Sequence, residues 1–306
     1  MDESKKFHNG FTLIELSIVL VIIGLIVGGV LVGQDLIKAA AVRATISQIE
    51  KYNTAVNTFR GKFAALPGDM NSATALQFGF AARGQYTGEG DGNGVIQGIT
   101  ADAASSYNGL TASAGETAVF WVDLSAAGLI DGSFNTASET ILPASTVAGT
   151  GVDLYFPQAK IGRGNYVYVW SADVFTPGDG NPGQNGTTNY FGISAITQLV
   201  TYNMYSLPAL TVQEAYNIDK KMDDGFPSTG RVIAAYEDLQ WFASPASALS
   251  GGWANDPWTQ GTAQTATSAS AATCYDNGNN ANGQLQYSLS QSAGAMVNCA
   301  LSFQFQ

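Results

Sequence analysis

The stretch that decides the fold is GFTLIELSIVLVIIGLIVGGVLVG, residues 10–33. Residues 16–33 contain no charge, and at about 1.5 Å per helical residue this run is long enough to cross the hydrocarbon of a bilayer. Lys5 and Lys6 precede the run and Asp35 follows it, a bias of cations that places the N-terminus in the cytoplasm. The sequence therefore predicts a single transmembrane helix, with the rest of the chain in the periplasm.

Glu15 does not suit a plain membrane anchor. A carboxylate at the edge of the hydrocarbon costs about 2.5 to 3.5 kcal/mol on insertion scales, so its presence indicates a function. The run Gly10-Phe11-Thr12-Leu13-Ile14-Glu15, leading into an apolar helix, resembles the processing and methylation signature of type IV pilins and type II secretion pseudopilins. The resemblance is strong over residues 5–35, fair to residue 130 and only architectural beyond it.

This resemblance implies roles for the N-terminal residues. A prepilin peptidase would cut after Gly10 and methylate the new amino terminus at Phe11, and Glu15 would partner an N-terminal amine in a filament. The physical chemistry agrees, because the cut creates a cation in apolar surroundings about one helical turn from Glu15. The implied partners are identical or related pilin subunits, the peptidase, the membrane, and an inner-membrane assembly platform with its ATPase.

Beyond the apolar run, the pattern predicts a continuing helix and then a head. An apolar stripe recurs at helical spacing at Ile49, Tyr52, Val56, Phe59 and Phe63. The helix is expected to end near Pro67, because proline disfavours helical backbone at the preceding residue. The predicted segments are a cleaved leader at 1–10, a transmembrane and polymerisation helix at 11–34, its amphipathic continuation at 35–66, and a globular periplasmic or extracellular head at 67–306.

The head is predicted to be an antiparallel β-sheet with an extended, loop-rich C-terminal region. Together with the long N-terminal helix packed on it, this gives an α+β fold. One more helix is predicted at 117–130. Strand-like composition bounded by turn residues occurs at 166–175, 190–196, 232–236, 285–289 and 299–305. Residues 66–70 and 126–130 resemble strings in pilin-like proteins with large heads, but the sequence attaches no chemistry to them.

Composition restricts what the head can do. The formal net charge is -11 and the few cations after Arg83 form no basic patch, which disfavours nucleic-acid binding. The only histidine is His8, in the predicted leader, so a Cys/His metal site is excluded and no base accompanies a nucleophile. We predict that the chain is not an enzyme. Cys274 and Cys299 are expected to form a disulfide in an oxidising compartment, with two free buried thiols as the alternative.

No cofactor is predicted, although calcium has weak candidate ligands. Asp91 and Asn93 in one loop, and Asp179 and Asn181 in another, offer the oxygen atoms that calcium prefers. The first loop does not fit an EF-hand, because Ile96 replaces the required glycine. Plain turns built by Gly, Asn and Asp are the simpler explanation.

A second acidic cluster consists of Asp219, Asp223 and Asp224. These carboxylates could bind a cation or pair with Lys220 and Lys221. Surface ion pairing beside a turn is the simpler interpretation, and no catalytic role follows.

Three classes of function stay open at this point. The leading prediction is a structural subunit held in the inner membrane and then in a pilus or pseudopilus at the cell surface, as a major pilin, a minor tip pilin or a type II secretion pseudopilin. The alternatives are a membrane-tethered periplasmic binding module and a tethered enzyme. Glu15 separates these classes, because polymerisation needs its charge, whereas a tether would tolerate an apolar residue there.

Overall fold

The structure is a computed structural model, which describes residues 12–83, 90–98, 115–137, 147–171, 187–200, 203–237, 251–253, 269, 272–280 and 284–305. Its described residues form an α+β fold, as the sequence predicts, with a long N-terminal helix, an antiparallel β-sheet and a loop-rich C-terminal region. The chain divides into two compact units, Met1–Ala41 and Val42–Gln306.

The described residues contain four α-helices: α1 (Leu13–Phe63), α2 (Ser72–Phe78), α3 (Glu116–Ala126) and α4 (Val212–Met222). They also contain twelve strands: β1 (Val147–Ala148), β2 (Asn165–Ser171), β3 (Asn189–Val200), β4 (Asn203–Leu207), β5 (Leu210–Thr211), β6 (Val232–Ile233), β7 (Ala235–Glu237), β8 (Gly251–Trp253), β9 (Tyr275–Asp276), β10 (Gln286–Tyr287), β11 (Val297–Cys299) and β12 (Leu301–Gln304). Short 3-10 turns lie at Gly149–Leu154 and Ser292–Gly294.

In the first unit, α1 exposes its apolar side chains. Leu13 is 88% exposed and Leu25 is 73% exposed, and the other large apolar residues up to Ile37 are exposed as well. Among the described residues, α1 is the one helix whose length and apolar composition would let it cross a membrane. Because a helix satisfies its own backbone hydrogen bonds, such a segment is stable in lipid. This part of α1 therefore fits a membrane anchor.

In the second unit, the remainder of α1 buries one face. The predicted apolar stripe is confirmed, since each of its members is buried: Ile49, Tyr52, Val56, Phe59 and Phe63. The Tyr52 ring meets Trp121 of α3 edge-on, with ring centroids 5.0 Å apart. The helix ends at Phe63, a few residues before Pro67, close to the predicted end.

The side-chain amide of Gln48 adds a polar connection between α1 and the segment before β2. Its Nε2 donates to the carbonyl oxygen of Gln158 at 2.8 Å, and its Oε1 accepts from the amide of Lys160 at 2.8 Å. Because Gln48 is only 7% exposed, both bonds lie away from water. They fix the position of the buried face of α1 along this segment.

Strand β3 organises the main sheet. It pairs antiparallel with β1, β2, β4 and β12, and β12 in turn pairs with β6. Val167 of β2 and Leu301 of β12 both lie opposite Ile193 of β3. The predicted antiparallel sheet is confirmed, and β3 extends beyond the predicted 190–196 to Val200.

Four more elements differ in extent from the prediction. The strand predicted at 299–305 is divided at Ala300 between the end of β11 and β12. The helix predicted at 117–130 is α3, and it ends at Ala126 because Gly128 takes up a left-handed backbone conformation with a φ of 66°. The strand predicted at 232–236 is divided at Ala234 into β6 and β7. The strand predicted at 285–289 is reduced to the two residues of β10.

Helix α4 was not predicted. Its first turn is a capping box, in which the Thr211 hydroxyl accepts from the Glu214 amide and the Glu214 carboxylate accepts from the Thr211 amide. Arg163 forms an ion pair with Glu214 and also donates to the carbonyl oxygen of Ala209. The acidic cluster that the sequence suggested lies at the C-terminal end of this helix.

Candidate functional site

The candidate assembly residues lie at the start of α1. Gly10 and Phe11 lie outside the described residues, which begin at Thr12. The amide and hydroxyl of Thr12 both donate to Oε2 of Glu15 at 2.8 Å, and the Glu15 amide donates to the Thr12 hydroxyl at 3.3 Å. This arrangement is a capping box, which satisfies amide groups that a helix N-terminus otherwise leaves without partners.

The capping box gives Glu15 a local role that the sequence analysis missed. Its signal was present, because Thr12 and Glu15 form a Thr-x-x-Glu pattern immediately before an apolar run. A carboxylate in the first turn also interacts favourably with the helix dipole. Oε1 of Glu15 makes no hydrogen bond within the described residues, so it can accept from a further donor. An assembly role must therefore be tested with a change that keeps the cap.

Four glycines in the apolar part of α1 have open surroundings. A Cβ added at Gly24, Gly28, Gly29 or Gly33 would meet nothing within 4 Å. Packing within the described part of the chain therefore does not require glycine at these positions, although glycine in a helix costs about 0.5–1 kcal/mol relative to alanine. Small residues let helices approach closely in lipid, which suits contact with another helix.

The first calcium candidate is a turn closed by its own side chains. Asp91 accepts from the backbone amide and from Nδ2 of Asn93, both at 2.9 Å, and Oδ1 of Asn93 accepts from the amide of Val95 at 2.7 Å. Asp179 and Asn181, the second candidate, lie outside the described residues. Calcium binding at either loop stays a prediction.

The structure brings two further carboxylates, Asp69 and Glu116, close to Asp91. One oxygen atom from each of the three lies within 4.8 Å of the others. Burial raises the pKa of Asp69 to about 6, and the charge of Asp91 adds to that shift. Burial also raises the pKa of Glu116 well above its usual value, with a contribution from Asp69. Sequence reasoning missed both residues, because they are far from Asp91 along the chain.

The carboxylates of Asp69 and Glu116 hold the loop that carries Asp91. Each of their four oxygen atoms accepts from a backbone amide at 2.6 to 2.9 Å, and the donors are Gly90, Gly92, Gly94 and Gln97. Glu116 is the first residue of α3, so the loop is fastened to the start of that helix. The role that the structure shows for this cluster is to position the loop.

Residues 66–70, to which the sequence attached no chemistry, have a structural role. Gly68 has a φ of 84°, and a Cβ added there would lie 2.4 Å from the carbonyl oxygen of Glu116. The Gly68 amide donates to Asp123 of α3 at 2.7 Å, and Asp123 forms a buried ion pair with Arg83. Burial raises the pKa of Asp123 to about 6, against the opposing effect of the Arg83 guanidinium.

The second acidic cluster surrounds the end of α4. Asp219 is buried and accepts from the Tyr287 hydroxyl at 2.7 Å and from the Gly225 amide at 3.0 Å. Burial raises its pKa to about 7, and the charges of Asp224 and Asp223 add to the shift. Asp219 therefore links α4 to β10, whereas its predicted pairing with a neighbouring lysine is not found among the described residues.

Cys274 and Cys299 are joined in a disulfide, and both are buried. The bridge spans 25 residues, and closing a loop of that size stabilises the folded state by roughly 3 to 4 kcal/mol on the chain-entropy model. Cys299 is the last residue of β11, which pairs with β5 just before α4. The disulfide thus joins Cys274, in the loop-rich C-terminal region, to the strand pair of β5 and β11.

Comparison with known proteins gives one finding. Residues 5–31 match the family model of the prokaryotic N-terminal methylation motif, which is diagnostic of prepilin-like proteins, and this match confirms the resemblance seen in the sequence. Searches of curated proteins and of solved structures find no match. The motif points to a structural protein rather than to an enzyme.

Proposed function

We propose, from the prepilin-type motif that the chain carries, that it is a structural subunit of a type IV pilus-like filament. A prepilin peptidase would cut it between Gly10 and Phe11, and the subunit would polymerise through its N-terminal helix. The observation that carries this proposal is the combination of the motif at 5–31 with a helix whose apolar side chains are exposed and whose first turn contains Glu15. An anchor needs only the cap, which an uncharged glutamine would supply without the cost of a charge at the edge of the hydrocarbon.

The chemistry follows from the start of α1. Cleavage after Gly10 leaves an ammonium group on Phe11, directly before the capping residue Thr12. One oxygen of Glu15 already accepts from Thr12, and the other is open to an ammonium donor. If that donor belongs to a neighbouring subunit, the charge pair in apolar surroundings fixes the axial register of the two helices.

The proposal includes a location and partners. The subunit would rest in the inner membrane with its N-terminus in the cytoplasm and its head in the periplasm, since Lys5 and Lys6 precede the span. An assembly platform and its ATPase would extract it into the filament. A type II secretion pseudopilin and a minor tip pilin use the same processing, and abundance in sheared filaments separates these from a major pilin.

The test compares Glu15→Gln with Glu15→Ala in cells that assemble filaments. Glutamine keeps the capping box, because its side-chain oxygen accepts from the Thr12 amide, but it removes the charge. We expect both variants to be cut and to remain in the membrane, and both to be lost from sheared filaments. The intact mass of the wild-type filament protein should match a chain that begins with a methylated Phe11.

Other results would reject the proposal. If Glu15→Gln assembles like the wild type while Glu15→Ala does not, then Glu15 only caps the helix. An uncut chain confined to membranes would favour the membrane-tethered binding module instead.

A further inference from the structure

We draw no further inference here: the strongest candidate, the cluster of Asp69, Asp91 and Glu116 where the loop at 90–97 meets the start of α3, carries nothing new, because all four oxygen atoms of its two buried carboxylates accept from backbone amides of that loop and nothing else in the described part of the chain indicates a ligand there.

Discussion

The two parts of α1 differ in how they treat apolar side chains, although they belong to one helix. From residue 16 to residue 33 the helix carries no charge and is apolar around its circumference, and its large side chains are exposed. From Val42 to Phe63 the apolar residues are confined to one face, and that face is buried. Both parts are helical, so helix formation does not distinguish them. The pattern of apolar residues does: a helix that is apolar on one face is covered by its own chain, whereas a helix that is apolar all round must be covered by something outside the chain.

The largest expected effect sharpens this contrast with two truncations. Phe59→Ala removes a fully buried ring, and we expect it to lower the free energy of unfolding of the head by about 3 to 5 kcal/mol. Ile22→Ala removes an exposed apolar side chain from the first part of α1 and should leave the unfolding of the head unchanged. Denaturant unfolding in mild detergent measures both, and equal effects would break the comparison.

Glycines provide an intermediate effect. Gly68→Ala forces a side chain into a left-handed backbone and against the Glu116 carbonyl, so we expect a loss of about 1 to 3 kcal/mol in stability. Gly28→Ala meets open space in a helix and should not destabilise the head. Thermal unfolding of both variants tests this. If Gly68→Ala has the melting temperature of the wild type, then the close approach of Gly68 to the start of α3 does not contribute to stability.

The smallest expected effect concerns pH and is confined to the head. The pKa values of Asp69 and Asp123 are raised to about 6 and that of Asp219 to about 7, so the folded state holds these protons more tightly than the unfolded state does. The stability that this provides is complete below the ordinary pKa near 4 and is lost as pH rises through 6 to 7. The pKa of Glu214 is lowered, so the stability that its charged form contributes is lost only as the pH falls below about 4.5.

We therefore expect the melting temperature of the head to be higher at pH 5 than at pH 7.5, by about 5 °C. Asp219→Asn removes the group with the highest pKa of the three and should reduce the difference. Calorimetry at constant ionic strength measures both proteins. A melting temperature that falls on acidification would show that these carboxylates are not stabilised in their protonated form.

The sequence predicted those helices and strands whose signal lies in a local pattern of residues. The apolar stripe of α1 and the β-branched and aromatic runs of β2 and β3 have clear periodicity and composition, and these elements were found where expected. Helix α4 was missed because its charged residues were interpreted as an ion-pairing cluster, although Thr211 and Glu214 gave a capping signal.

Contacts between distant residues were out of reach of such patterns. Gly68 and Asp123 are 55 positions apart, and nothing local to either one indicates the other. The same holds for the approach of Glu116 to Asp91. These contacts form because a buried carboxylate is costly unless it accepts hydrogen bonds. The donors come from whichever segments the fold places beside it.

The position of β12 has a consequence for the order in which the sheet forms. This strand, at Leu301–Gln304, lies between β3 and β6 and so occupies the middle of the sheet. The sheet cannot be completed until residue 304 is available, more than 100 positions after β3. Until then β3 and β6 lack the strand that joins them, so a chain shortened by its last six residues should be unable to form the main sheet.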